Sequence, residues 1–192
     1  MKKLLVFLLS VMLFSLTVLP QGKPKNVVLL IGDGMGLAQI YAGMVANGNK
    51  LQLERCKNVG FVKTYSASHF TTDSGAGGTA LACGVKTKNG MIGMNADSVV
   101  VRSILEMAEK NNLATGIVSA CAVTHATPAS FIAHVANRNM YEEIAAYYLK
   151  TDIDVFVGGG RKYFEERTDD RNLIDELKAK NYQIAYTIAD VK

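Results

Sequence analysis

The chain has no run of basic residues long enough to follow a nucleic-acid backbone, so nucleic acid is not expected as a specific partner. Its formal charge of +4 is inflated by Lys2 and Lys3; without them 19 basic side chains face 17 acidic ones, a balance of +2. Cysteine is scarce: Cys56, Cys83 and Cys121 are odd in number and lack the CxxC spacing of a metal site. One disulfide stays open to an exported chain, and so does burial as small apolar thiols. No internal repeat, low-complexity tract or linker interrupts the sequence. What is present suits one folded domain: 192 residues, 49% apolar and 20% charged.

The first residues read as an address. Lys2-Lys3 precedes an apolar and hydroxyl stretch from Leu4 to Leu19, then Pro20-Gln21-Gly22. A short positive end followed by such a run predicts a secretory signal over 1–22. The run is shorter than the roughly 18 apolar residues of a membrane span, and no cysteine follows it to make a lipoprotein. Residues 23–192 are then the mature part, secreted or periplasmic, with no membrane partner once the signal is removed.

Asn26–Ile31 is a continuous apolar run ending in glycine, as expected of a strand buried on both faces. Leu37–Ala46 reads as a helix closed by Asn47-Gly48. Val59–Tyr65 is a second strand, and Thr79–Cys83 starts a short helix that stops near Gly84. The stretch 98–112 is predicted helical, with Val101, Leu105, Ala108 and Leu113 as its apolar stripe and a Glu106–Lys110 pair at i,i+4. Thr115–Ala120 and Asp154–Val157 are strands flanking a helix over Tyr141–Leu149; Arg171–Lys180 is a helix and Gln183–Thr187 a last strand. Strands alternating with helices imply an α/β fold with a mostly parallel sheet covered on both faces. No closing element follows the last strand, so the sheet is read as incomplete at its carboxyl end.

In such sheets the binding crevice lies beyond the carboxyl ends of the strands. Three polar clusters fall there. The first is Gly32-Asp33-Gly34-Met35-Gly36. Its spacing is GxGxG, not the dinucleotide GxGxxG, and Asp33 would repel a pyrophosphate unless a cation lay between them. A carboxylate there suits a hard Zn²⁺ or Mg²⁺ ion; a helix-capping Asp explains it equally well. The second cluster is Thr72-Asp73-Ser74-Gly75-Ala76-Gly77-Gly78. A serine where a helix begins, followed by tiny residues, can offer its oxygen and nearby N–H groups to a phosphate favoured by the helix dipole. It is not a GxSxG elbow, and an ordinary cap with a glycine-rich turn is the plainer alternative.

The third cluster is Thr124-His125-Ala126-Thr127-Pro128, running on to Arg138. Thr127 before Pro128 reads as an N-cap with proline at the first helical position. Both His125 and His134 read as satisfied core or surface histidines as readily as functional ones. An unbroken helix from 127 to 138 would part the two ends by roughly 16 Å. For both to serve one site, the helix must end early and Arg138 must fold back. Its planar fork would then grip two phosphate oxygens.

NVVLLIGDGMG at 26–36, TDSGAGGTA at 72–80, THATPASFIAHVANR at 124–138 and DVFVGGGRK at 154–162 together resemble the alkaline phosphatase family. The resemblance implies a three-layer α/β/α sandwich, two Zn²⁺ ions, one Mg²⁺ ion and small phosphate monoesters as substrates. It implies Asp33 as a bridging metal ligand, Ser74 as the nucleophile and a zinc ligand, and Thr127 as a magnesium ligand. Arg138 would bind substrate phosphate, Asp73 would orient Arg138, and His125 would lie just behind the metal ligands. A homodimer is a further partner in keeping with it. Members of the family supply more Asp, His and Glu ligands from later in the chain, whereas no histidine follows Arg138 here. The chain therefore reads as a fragment, or as truncated relative to the family. Two other readings stand beside monoester hydrolysis: an inactive fragment that at most binds phosphate, and a related phosphodiesterase or sulfatase. Against the latter, a guanidinium fork takes up two free phosphate oxygens, and a diester offers one free oxygen fewer than a monoester.

Overall fold

A computed structural model describes residues 24–191; the signal reading over 1–22 lies outside them. The chain falls into two units, residues 1–32 and 33–192. The described part of the first, residues 24–32, forms neither helix nor strand. The strand expected over Asn26–Ile31 is thus not formed, nor are those over Val59–Tyr65 and Gln183–Thr187. An apolar run records a capacity for burial, but a strand exists only where a neighbour completes its hydrogen-bond ladder.

In the second unit, α1 spans Leu37–Ala46, as the sequence predicts, and α2 spans Ser74–Cys83. Gly84, in the left-handed conformation, ends α2. Helix α3 covers Ile104–Lys110, shorter than the 98–112 expected. Its start is set by a capping box in which the Ser103 hydroxyl accepts from Glu106 N–H at 3.2 Å and a Glu106 carboxylate oxygen accepts from Ser103 N–H at 2.7 Å. Glu106 also meets His134 Nε2 at 3.0 Å, so the expected partnership with Lys110 gives way to a half-buried one across the chain. Then follow β1 (Gly116–Ala122), α4 (Ala126–Ala129), α5 (Tyr141–Tyr147), β2 (Val155–Gly159), α6 (Lys162–Glu165) and α7 (Leu173–Ala179). Asn172 caps α7, its carboxamide oxygen accepting from Ile174 and Asp175 N–H.

Strands β1 and β2 pair in parallel, with Gly116 opposite Val155 and Ile117 opposite Phe156. The connection through α4 and α5 makes a βαβ unit, and the chain is an α/β protein. Side chains alternate across the sheet. Ile117 and Phe156 pack with Leu105, Tyr148, Phe164 and Leu177 in the main core. On the other side Val118 is 80% exposed and Val157 55%, so among the described residues the sheet is covered on one face and not on both. Tyr148 is fully buried and donates its hydroxyl to Val123 O at 2.9 Å. A smaller core of Ile92, Ala126, Ala129, Ala133, Val135 and Ile144 fixes the segment from α4 to α5. That segment carries both Thr127 and Arg138.

Candidate active site

Asp73 organises the first turn of α2. It is the N-cap, and its Oδ1 accepts from Ala76 N–H at 2.9 Å. Ser74 is therefore the first helical residue, its hydroxyl at the positive end of a ten-residue helix. The helix starts five residues before the expected Thr79, because an Asp cap suffices where a run of Gly and Ala shows no periodicity. The small residues also serve packing. A Cβ at Gly78 would lie 2.7 Å from Ser130 Oγ and 3.5 Å from Thr127 Cα, so glycine lets α2 press against α4.

Asp33 sits between the hydroxyls of both helices. Ser74 Oγ donates to Asp33 Oδ1 at 3.2 Å, and Thr127 Oγ1 donates to Asp33 Oδ2 at 2.8 Å. These contacts link positions 41 and 94 residues apart in sequence. Thr127 is not the N-cap of α4; His125 holds that position and its ring makes no capping hydrogen bond. The register shift of α4 leaves the Thr127 hydroxyl for Asp33. His125 is half-buried, and among the described residues no hydrogen bond ties its ring to the Asp33 cluster.

Arg138 returns to this site because α4 is only four residues long. After it, Val135 forms an antiparallel bridge with Ile92, and Arg138 N–H donates to Gly90 O at 2.7 Å. The guanidinium Nη1 then donates to Asp73 Oδ2 at 3.0 Å. Partial burial pushes the Asp73 carboxyl up, but N–H donation from Ala76, the Arg138 bond and Gly90 N–H outweigh it and hold the group below its ordinary value. Asp73 is thus a charged anchor one residue from the Ser74 hydroxyl.

His134 is a satisfied interior histidine. Nδ1 meets Gly93 O at 2.7 Å and Nε2 meets Glu106 at 3.0 Å. Sequence reasoning missed Asn89 and Gly90, which contact both Asp73 and Arg138; the Asn-Gly dipeptide was the available signal.

The donor set bears on which metals these residues suit. Asp33, Ser74 and Thr127 offer hard oxygens converging on one carboxylate, which fits a single hard cation such as Mg²⁺. Two zinc ions would want three or four protein ligands each. Among the described residues no group of three or more His, Cys, Asp or Glu side chains could supply them.

Known proteins resemble this chain in sequence and in fold. A family profile described as Alkaline phosphatase matches residues 24–191. Alkaline phosphatase 4 of Bacillus subtilis is 39% identical over 178 residues, covering 85% of this chain and 38% of that protein. The solved alkaline phosphatase of the Antarctic bacterium TAB5 superposes with a TM-score of 0.83 at 45% identity, covering 85% of this chain and 48% of that one. A variant of the TAB5 enzyme, 44% identical with a TM-score of 0.83 and the coverages 85% and 47%, was solved with Mg bound in its M3 site. The chain thus spans less than half the length of these relatives.

Proposed function

Since the chain belongs to the alkaline phosphatase family, we propose that it carries the nucleophile and phosphate-gripping half of a metal-dependent phosphate-monoester hydrolase working through a phosphoserine at Ser74. The observation that carries this reading is that Ser74 and Thr127 both donate to Asp33, at 3.2 and 2.8 Å, while Arg138 donates at 3.0 Å to Asp73, the chain neighbour of Ser74.

Each residue has a physical part in it. Asp33 Oδ1 holds the Ser74 proton, leaving a lone pair of Oγ to face an incoming phosphorus. Arg138, oriented by Asp73, binds two equatorial oxygens of the phosphoryl group. The first N–H groups of α2 add dipole stabilisation as negative charge builds there. Asp33, Ser74 and Thr127 would hold metal. Bound metal would favour the serine alkoxide and neutralise phosphate charge. Two Zn²⁺ ions and one Mg²⁺ ion are the complement proposed for the whole protein, with His125 just behind the metal ligands. Export follows from the segment 1–22, and residues 23–192 then act in the periplasm or outside the cell. A homodimer is part of the same proposal. Among the described residues no helix is long and apolar enough to cross a membrane.

Arg138→Ala tests the grip. Loss of a charge-assisted contact of about 1.5–3 kcal/mol is expected to weaken inorganic phosphate about tenfold or more, with the circular dichroism spectrum intact. An unchanged inhibition constant for phosphate takes Arg138 out of the site.

A second reading is favoured by the short supply of metal donors. The chain by itself binds phosphate without turning over a substrate. Assayed with an aryl phosphate at alkaline pH, with and without Zn²⁺ and Mg²⁺, residues 23–192 are expected to show no activity above background. Chelator-sensitive turnover that disappears on Ser74→Ala would show these residues to be sufficient.

A further inference from the structure

The turn at Asn89-Gly90 has no part in the chemistry described above, yet it touches that site from two sides. Asn89 Oδ1 accepts from Asp73 N–H at 3.2 Å, and Nδ2 donates to Thr71 O at 3.0 Å. This is the carboxamide orientation that satisfies both partners. Its main-chain N–H donates to Ser68 Oγ at 3.0 Å. Next door, Gly90 N–H donates to Asp73 Oδ2 at 3.0 Å, and Gly90 O accepts from Arg138 N–H at 2.7 Å. With the bond from Arg138 Nη1 to Asp73 Oδ2, these contacts close a ring running Asp73, Gly90, Arg138 and back to Asp73.

We propose that Asn89 is a positioning residue for phosphate binding: its side chain fixes the Asn89-Gly90 turn against residues 71–73, and the turn sets where Arg138 stands relative to Ser74. The proposal rests on the function put forward above. An asparagine serving only its own turn bonds locally, one or two residues on. The Asn89 carboxamide instead reaches partners 16 and 18 residues away, and both lie in the three residues before the nucleophile. Asn89 is half-buried, so water can satisfy Asp73 N–H and Thr71 O when the carboxamide is removed. Its loss therefore loosens the frame without opening the core.

The test uses the full chain with Asn89→Ala and two readouts. In amide hydrogen exchange, Arg138 N–H should exchange about tenfold faster, while Ile144 and Leu177 in the cores keep their protection. Unchanged exchange at Arg138 overturns the proposal. In titrations with inorganic phosphate, Asn89→Ala should bind about tenfold more weakly, yet change affinity by less than about twofold in an Arg138→Ala background. Equal losses in both backgrounds mean a general structural role and overturn it. If the unsubstituted chain binds no phosphate, the function proposed above fails, and exchange at Arg138 still decides whether Asn89 holds the ring. Gly90→Ala is the second variant, for use if Asn89→Ala does not fold. Its Cβ would meet nothing within 4 Å, but φ is +86°, so it strains the turn and leaves the Asn89 side chain in place. The same rise in Arg138 exchange is expected, and its absence counts equally against the proposal.

Discussion

Replacing Ser74 with alanine in the whole protein is expected, under the function proposed above, to abolish the phosphoenzyme and lower turnover by about a thousandfold or more. The substitution removes one oxygen and little else. Ser74 is the first residue of α2, half-buried, and its hydroxyl donates to Asp33 Oδ1. Alanine is the best helix former, so α2 should persist and phosphate should still meet Arg138. Loss of rate with retained affinity separates the nucleophile from the binding groups. The measurement is an acid quench after mixing with a labelled aryl phosphate, followed by peptide mapping. Label on the peptide holding position 74 is expected in the unsubstituted enzyme alone. Label deposited at the original rate in Ser74→Ala would place the nucleophile elsewhere.

Asp73→Asn should have the largest effect on the fold around the site. Asparagine is an adequate N-cap, so the bond from Ala76 N–H can survive. Neutralising the carboxylate leaves Arg138 facing an uncharged partner, and the amide nitrogen in the place of Oδ2 accepts from neither Arg138 nor Gly90 N–H. A loss of about 2–3 kcal/mol in unfolding free energy is expected, from charge-assisted bonds replaced by weaker ones. Its pH dependence follows from the carboxyl being held below its ordinary value of 3.8. Stability drawn from a depressed carboxylate is fully present above the unfolded value and disappears as pH falls through the folded one. The gap between the unsubstituted chain and Asp73→Asn should therefore be constant above about pH 5 and close as pH drops below about 4. Denaturant unfolding at a series of pH values checks this. A gap that persists unchanged at pH 2 would mean that the charge on Asp73 contributes nothing.

Much of this site was legible because its residues sit in short motifs whose local physics is strong. Helix α1 could be bounded to the residue, since its apolar pattern runs into Asn47-Gly48. The early end of α4 could be demanded from length alone, as Thr127 and Arg138 cannot share a site along a straight helix. Position within a motif did not reveal local role, however. Thr127 reads as a cap from its proline neighbour, but His125 takes the cap and Thr127 turns to Asp33. Interactions spanning long stretches of chain were invisible. Glu106 has Lys110 one turn away, yet it pairs with His134, 28 residues on, where burial strengthens the interaction. Asn89 drew no reading at all, because nothing local reveals a carboxamide bonded to Asp73 and Thr71. The runs at 26–31 and 59–65 failed as strands for the same reason, since apolarity does not name a ladder partner.

The bare side of the β1–β2 sheet has a practical consequence for anyone handling the chain. Val118, Val155 and Val157 stand 80%, 51% and 55% exposed along adjacent parallel strands. Among the described residues these stiff β-branched side chains make a greasy stripe on a sheet of two strands with no further strand at its borders, the kind of surface that recruits a second strand or an air–water interface. Concentrating the chain, shaking it or freezing it will drive it towards precipitate well before its cores around Tyr148 and Ile144 give way. Solubilising excipients, low concentration and a charged residue in place of Val118 are the remedies that this geometry recommends.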